Sequence, residues 1–213
     1  MFKTFLASRE NDDLAGWANY QAGVNLARLN QLPEAIRHFR SAVQGNPPAE
    51  LASLALLKLG ETQAQAGDFA GSAKTYEQFV QRFDKHKFVF QAQFGIGWAL
   101  ENLQKYDEAR AWYEKVVETH NGPTAARAQF QIGETWFAQG RYDRAVAALL
   151  AVADVYAYPE WSARALFEAG RAFEQLKRID QAREQYRIVI EQYKDAPEAA
   201  LAGKRLAALA GEG

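Results

Sequence analysis

Residues 128–149 read AQFQIGETWFAQGRYDRAVAAL, and this stretch decides the fold. Alanine-rich segments lie on both sides of a short polar turn, Gly140-Arg141, and glycine at such a turn suits the C-terminal end of a helix. Gly133 stands inside the first segment, and Ala145, twelve residues on, stands inside the second. The same arrangement recurs along the chain. Gly23, Gly60, Gly97, Gly133 and Gly170 are separated by 37, 37, 36 and 37 residues. Twelve residues after each comes Ala35, Ser72, Ala109, Ala145 or Ala182, and five before each comes Ala18, Ala55, Ala92, Ala128 or Ala165. Large residues keep the same register: Leu32, Phe69, Tyr106, Tyr142 and Ile179 nine after the glycine, Phe39, Tyr76, Tyr113, Leu149 and Tyr186 sixteen after it. A period that carries small and large columns together is a repeated core pattern.

A glycine inside a helix costs about 1 kcal/mol against alanine, so a column of them implies a close helix crossing. With the glycine in a helix A and the small residue twelve positions later in a helix B, the two columns meet where antiparallel helices touch, and the large columns fill the gaps. Asn30-Gln31, Gly67-Asp68, Gln104-Lys105, Gly140-Arg141 and Lys177-Arg178 form the turns between them. Asp107, Asp143 and Asp180 fall where helix B begins, as N-cap or first-turn acids.

Small residues at the crossing, an aromatic one turn later and a short polar turn resemble the tetratricopeptide repeat. Asn19, Leu56, Gln93, Gln129 and Leu166 depart from the large aromatic usual near the start of helix A, and the usual terminal proline survives only as Pro47. Pro123, Pro159 and Pro197 sit two or three positions later. The resemblance implies an all-α fold, a right-handed superhelix or solenoid of five antiparallel helix pairs with single flanking end helices. It is one domain, 1–213: a partial N-terminal helix at 1–12, repeats at 16–52, 53–89, 90–125, 126–162 and 163–199, and a capping helix at 200–213. The longer period and the column Phe83, His120, Tyr156 and Tyr193 are similar to bacterial cell-envelope members of the family, such as the Tol-Pal coordinator and outer-membrane assembly lipoproteins. That likeness implies an envelope setting by analogy.

The opening segment, with Phe2, Phe5 and Leu6 one period before Phe39, Ala42 and Val43, fits the second half of a helix B whose helix A is missing. It is either a shortened cap or the edge of a longer array. A complete chain would be cytoplasmic, and one preceded by a signal sequence periplasmic or envelope-bound. At the other end, Lys204 replaces the large apolar residue of earlier units, as the polar face of a terminal helix requires.

The 213 residues hold no cysteine, one methionine and forty alanines, with a net charge of -1. Disulfides and cysteine zinc sites are excluded, and the balanced charge argues against a nucleic-acid partner. No stretch approaches the roughly eighteen apolar residues of a transmembrane segment. His38, His86 and His120 form no HxxxH or HExxH pair, and Gly95-Ile96-Gly97 lies within a helix and follows no strand. The expectation is a protein that is not an enzyme, with no catalytic residue, no metal and no cofactor.

What remains is a binding surface. The resemblance places helix A on the concave wall, which brings forward Tyr20, Phe94, Phe130 and Phe167 three residues before the glycine, with Trp98, Glu134 and Arg171 one after it. Arg127, Arg164, Glu101 and Phe137 lie a turn away on the same face. An aromatic wall edged with both charges suits a protein or peptide partner, although the aromatic column also reads as packing between neighbouring A helices. The expected function is a non-catalytic interaction scaffold. The alternatives are a positioning module of a larger protein, or a homo-oligomer formed through the N-terminal end.

Overall fold

The computed structural model describes the backbone of residues 2–210 and the side chains of residues 13–210. Eleven helices and no strand occur among the described residues. The chain forms two compact units, Met1–Lys105 and Tyr106–Gly213. The first holds α1 (Phe2–Arg28), α2 (Leu32–Val43), α3 (Ala49–Gln65), α4 (Phe69–Arg82) and α5 (Val89–Asn102). The second holds α6 (Tyr106–Thr119), α7 (Pro123–Ala138), α8 (Tyr142–Val155), α9 (Pro159–Gln175), α10 (Ile179–Gln192) and α11 (Pro197–Ala210). Within each unit every helix packs on the next in the chain, and the odd-numbered A helices also touch: α1 with α3, α3 with α5, α7 with α9, α9 with α11. This is the all-α helix-pair solenoid that the repeat predicts.

Glycine and its neighbours explain the pairing. A methyl group at Gly23 would lie 2.8 Å from the Phe39 ring, at Gly60 2.8 Å from Tyr76, at Gly133 2.5 Å from Leu149 and at Gly170 2.5 Å from Tyr186. The large residue sixteen positions on is therefore what the glycine accommodates, rather than a filler of leftover space. The small residue twelve positions on completes the contact: Ser72, fully buried, donates its hydroxyl to the Gly60 carbonyl at 2.8 Å. Ala35, Ala109, Ala145 and Ala182 are likewise fully buried. Ala55, Ala92, Ala128 and Ala165 are too, whereas Ala18 is exposed on α1, which among the described residues packs on α2 and α3.

The turns from A to B share one device. Asn30, Gly67, Gln104, Gly140 and Lys177 all have φ between 58° and 80°, the left-handed region that favours glycine. The next residue then donates its N–H back into the helix, as Gln31 does to Leu26 at 2.9 Å and Arg178 to Phe173 at 2.9 Å. This is the Schellman closure that ends a helix with its last carbonyls satisfied. Asp107, Asp143 and Asp180 lie in the first turns of α6, α8 and α10 and not at their N-caps, since each helix starts one residue earlier on Tyr106, Tyr142 or Ile179. Asp68 is the aspartate that caps, accepting from Gly71 N–H at 2.9 Å. Pro123, Pro159 and Pro197 open α7, α9 and α11, where the missing N–H costs nothing.

The N-terminal segment differs from expectation. Residues 2–12 are not a separate half-helix but run without a break into the first A helix as α1, and no proline interrupts the sequence there. The core positions expected at Phe2, Phe5 and Leu6 lie outside the described side chains. At the far end, the last residues of the expected capping helix, 211–213, lie outside the described residues, and α11 exposes Lys204 as predicted.

Two substitutions test this account. A left-handed conformation costs an ordinary residue about 1–2 kcal/mol, so Lys177→Gly should stabilise the chain by about 1 kcal/mol and Asn30→Gly by less, because asparagine tolerates this region. Gly133→Ala should destabilise by about 1–3 kcal/mol through overpacking on Leu149. Urea denaturation measures all three, and an order in which Lys177→Gly gains nothing would contradict the turn geometry.

Candidate functional site

The predicted surface residues lie on A helices, and each unit arranges them differently. In the first unit, Tyr20 is half-buried and packs on Trp17 at 5.9 Å and Phe39 at 6.0 Å between ring centroids. Phe94 is buried, with 8 % of its surface exposed, and Trp98 is half-buried edge-on to Phe69 at 5.5 Å. Glu101 is half-buried near the end of α5. Beside Tyr20, a cleft of about 230 Å³ opens among Leu54, Leu57, Phe88, Tyr76 and the polar Lys58, Glu61 and Gln91. Lys58 Nζ and Glu61 Oε2 pair at 2.6 Å on its rim.

In the second unit the same face carries charge. Phe130 is buried and leans on half-buried Trp161 at 5.7 Å. The guanidinium groups of Arg127 and Arg164 stand 5.9 Å and 5.3 Å from the centre of that indole, within the range of cation–π attraction. Arg164 also pairs with Glu198 of α11 at 3.3 Å. Phe167 packs on Tyr186 at 5.6 Å, and Phe137 stands edge-on to Tyr142 at 5.2 Å. Arg171, exposed, lies 2.6 Å from Glu168 and 5.2 Å from the Phe137 ring. Glu134 is half-buried. Of the predicted residues, Arg127, Phe130 and Arg164 come together around Trp161 and Arg171 meets Phe137, whereas Tyr20, Trp98 and Phe167 pack on Trp17 and Phe39, on Phe69 and on Tyr186, none of them among the predicted surface residues.

Trp161, which joins Arg127, Phe130 and Arg164, was not among the predicted residues. It occupies the position nine before the glycine, a column that also holds Leu51 and Phe88 and that the repeat reading did not follow. The polar departures near the start of helix A have structural roles. Asn19 Oδ1 meets His38 Nδ1 at 2.9 Å, and Gln129 donates to the Ala148 carbonyl at 2.9 Å, so each ties its A helix to the following B helix. Trp136 is flanked by Arg110 at 3.4 Å and Arg144 at 4.7 Å. Burial pulls the Arg110 guanidinium below its ordinary value, and Asp107, its ion-pair partner, works against that shift.

A further network fixes α11. Tyr186 donates its hydroxyl to Glu174 at 2.5 Å, and Arg205 of α11 donates to the same carboxylate through Nε at 3.0 Å and through a second guanidinium nitrogen. Arg183 adds a bond to the Leu209 carbonyl at 2.5 Å, holding the last turn of that helix. Charge-assisted bonds of this kind are among the stronger polar contacts. Burial, then the bond to Glu174, raises the Tyr186 phenol well above the usual tyrosine range. Among the described residues no group of three or more potential ligands is placed to hold a metal ion, and no helix is long and apolar enough to cross a membrane.

The family model of the tetratricopeptide repeat matches residues 20–86, 57–126, 116–160 and 137–197. The chain is a tetratricopeptide-repeat protein. No curated protein matches it. Among solved structures it is similar to MamA from Desulfovibrio magneticus RS-1, residues 41 to the end, at 18 % identity and a TM-score of 0.71 over 86 % of this chain and 97 % of that one. It is also similar to another MamA structure, at 19 % identity and a TM-score of 0.70 over 84 % and 92 %. YrrB, described as a tetratricopeptide-repeat protein with an unusual peptide-binding site, matches at 20 % identity and 0.66 over 94 % and 97 %. At these identities the likeness concerns the fold. The tetratricopeptide architecture is that of a non-catalytic scaffold for protein or peptide binding.

One acid on this face has a testable titration. Burial raises the Glu168 carboxyl above the ordinary value of 4.5, and Arg171 opposes the shift without cancelling it. A raised folded-state value means that Glu168 contributes stability fully below about pH 4.5 and loses it as pH rises through the shifted value. Glu168→Gln should therefore unfold at a higher temperature than the parent at pH 7, and the gap should close as pH falls toward 4.5. A gap that widens on acidification would reverse the sign.

Proposed function

We propose that this protein is an interaction scaffold whose A-helix faces bind a peptide segment of a protein partner. The observation that carries the reading is the cleft of the first unit, where Leu54, Leu57 and Phe88 give apolar walls beside the exposed pair Lys58 and Glu61. The second unit adds Arg127, Trp161 and Arg164, a cationic and aromatic surface of the kind that supplies anchor contacts at interfaces. Tyr20, Phe94, Trp98, Glu101, Phe130, Glu134, Phe137, Phe167 and Arg171 are assigned to the same faces, with the buried Phe94 and Phe130 shaping them from below. A role in a bacterial envelope assembly is proposed with it. Its support is the 37-residue period and the aromatic column ending helix B, Phe83, His120, Tyr156 and Tyr193.

Selection of a displayed random-peptide library on the full chain tests the scaffold. Enriched peptides should lose at least tenfold in affinity, about 1.4 kcal/mol, toward a Leu57→Glu variant and toward an Arg127→Ala, Arg164→Ala double variant. They should bind normally to Arg37→Ala, on exposed B-helix surface. Peptides that bind all variants alike would place the site elsewhere.

A further inference from the structure

Tyr76 follows Gly60 by sixteen residues, as Tyr186 follows Gly170. Both rings are buried against their glycines, yet their hydroxyls meet different surroundings. In the second unit the Tyr186 hydroxyl is held by Glu174, itself held by Arg205. The repeat register puts Ala64 where Glu174 stands and Gly95 where Arg205 stands. Neither has a polar side chain to offer. Gly95 instead brings α5 against the same outer end of the Tyr76 ring that Gly60 meets, closer than a Cβ would permit. The ring is clamped between two A helices, and its residue is 8 % exposed. Its hydroxyl makes no hydrogen bond among the described residues and faces the cleft of about 230 Å³.

An apolar cleft with an unpartnered hydroxyl open to it from an otherwise buried ring selects a side chain of mixed character. Tyr20, Leu54, Leu57 and Phe88 require an apolar body. The tip must accept from the Tyr76 O–H and tolerate or donate to the Glu61 carboxylate. A carboxylate tip would compete with Glu61 for Lys58, already paired with it at 2.6 Å, an ammonium cannot accept, and an indole N–H only donates. Glutamine and asparagine do both but lack the apolar body. A phenol accepts and donates through one oxygen and carries an aromatic ring of fitting size. Burial, then Glu61, raises the Tyr76 phenol above its ordinary value, so it remains a donor across the neutral range.

We propose that the cleft lined by Tyr20, Leu54, Leu57, Tyr76 and Phe88 is an anchor pocket for a tyrosine side chain of the bound peptide, a proposal that rests on the scaffold reading above. Tyr76 is the residue that sets specificity, because a ligand side chain that covers its hydroxyl without accepting from it leaves that polar group unpaired.

The test titrates the full chain, with labelled leucine methyl groups, against p-cresol and toluene, the side-chain analogues of tyrosine and phenylalanine. The p-cresol should shift the Leu54 and Leu57 signals and bind about fivefold or more tightly than toluene, as one added hydrogen bond provides. Tyr76→Phe keeps the ring between Gly60 and Gly95 and removes only the hydroxyl. It should abolish the preference, with p-cresol bound more weakly than by the parent and toluene at least as tightly. Equal affinities for the two probes, no binding of either, or a preference that survives in Tyr76→Phe would each overturn the anchor. Library peptides that bind the A-helix face, contain no tyrosine and ignore Tyr76→Phe would sink the anchor alone. Failure to select any face-dependent peptide would sink the scaffold reading as well.

Discussion

The contact between a glycine on helix A and a large side chain on helix B underlies the architecture. Gly23 with Phe39, Gly60 with Tyr76, Gly133 with Leu149 and Gly170 with Tyr186 place a buried ring or leucine directly on helical backbone. Each glycine forfeits helix propensity of about 1 kcal/mol, and burial of the opposing side chain contributes about 1.5–3 kcal/mol, so the exchange favours the crossing. A side chain at the glycine would push the two helices apart. Because the same glycine carbonyl can receive the hydroxyl of Ser72, the crossing also fixes how far one helix slides along the other. Register within a pair follows from this contact, and the left-handed residue in each A-to-B turn closes the pair at the matching length.

Once the ring is fixed, its outer end becomes a variable position. Leu149 has no polar tip and Phe39 none, so those crossings are purely apolar. Tyr186 and Tyr76 carry a hydroxyl through the crossing to the far side. In the second unit that hydroxyl joins a carboxylate and an arginine and so contributes to holding α11. A hydroxyl serving this way is a structural group, satisfied and unavailable. In the first unit Ala64 and Gly95 leave the corresponding hydroxyl without such partners, at the base of a cleft. One repeat column therefore serves stability in one place and recognition in another, according to two neighbouring residues.

Much of the fold was legible in the sequence because a solenoid repeats its contacts. The spacing of five glycines, the buried alanine columns and the A-to-B turns required no knowledge of distant contacts. The period also pointed to the A-helix face as the place to seek a site. What it could not supply was the identity of neighbours across repeats. Trp161 on α9 meets Arg127 on α7, thirty-four residues earlier, so the contact joins two successive A helices rather than the two helices of one pair. Gly95 stood in the sequence only as a second glycine within a helix, and its meaning emerges when Tyr76, from the preceding helix, is seen against it. The two positions by which Gly95 precedes Gly97 were the available signal, since a second glycine on one helix marks a second close approach.

The contrast between Phe94 and Tyr76 shows why aromatic columns are ambiguous in such a chain. Phe94 and Phe130 follow the helical period expected of a binding wall, yet they are more than nine-tenths buried and chiefly support what lies above them. Tyr76 follows the period of the core and is just as buried, but its polar atom faces the cleft. Periodicity reports where a Cβ points, and recognition depends on where the last atom of the side chain ends. For a long aromatic clamped by glycines the two meet different surroundings. A column assigned to the core can thus present chemistry at the surface, provided that the residues around its tip are small.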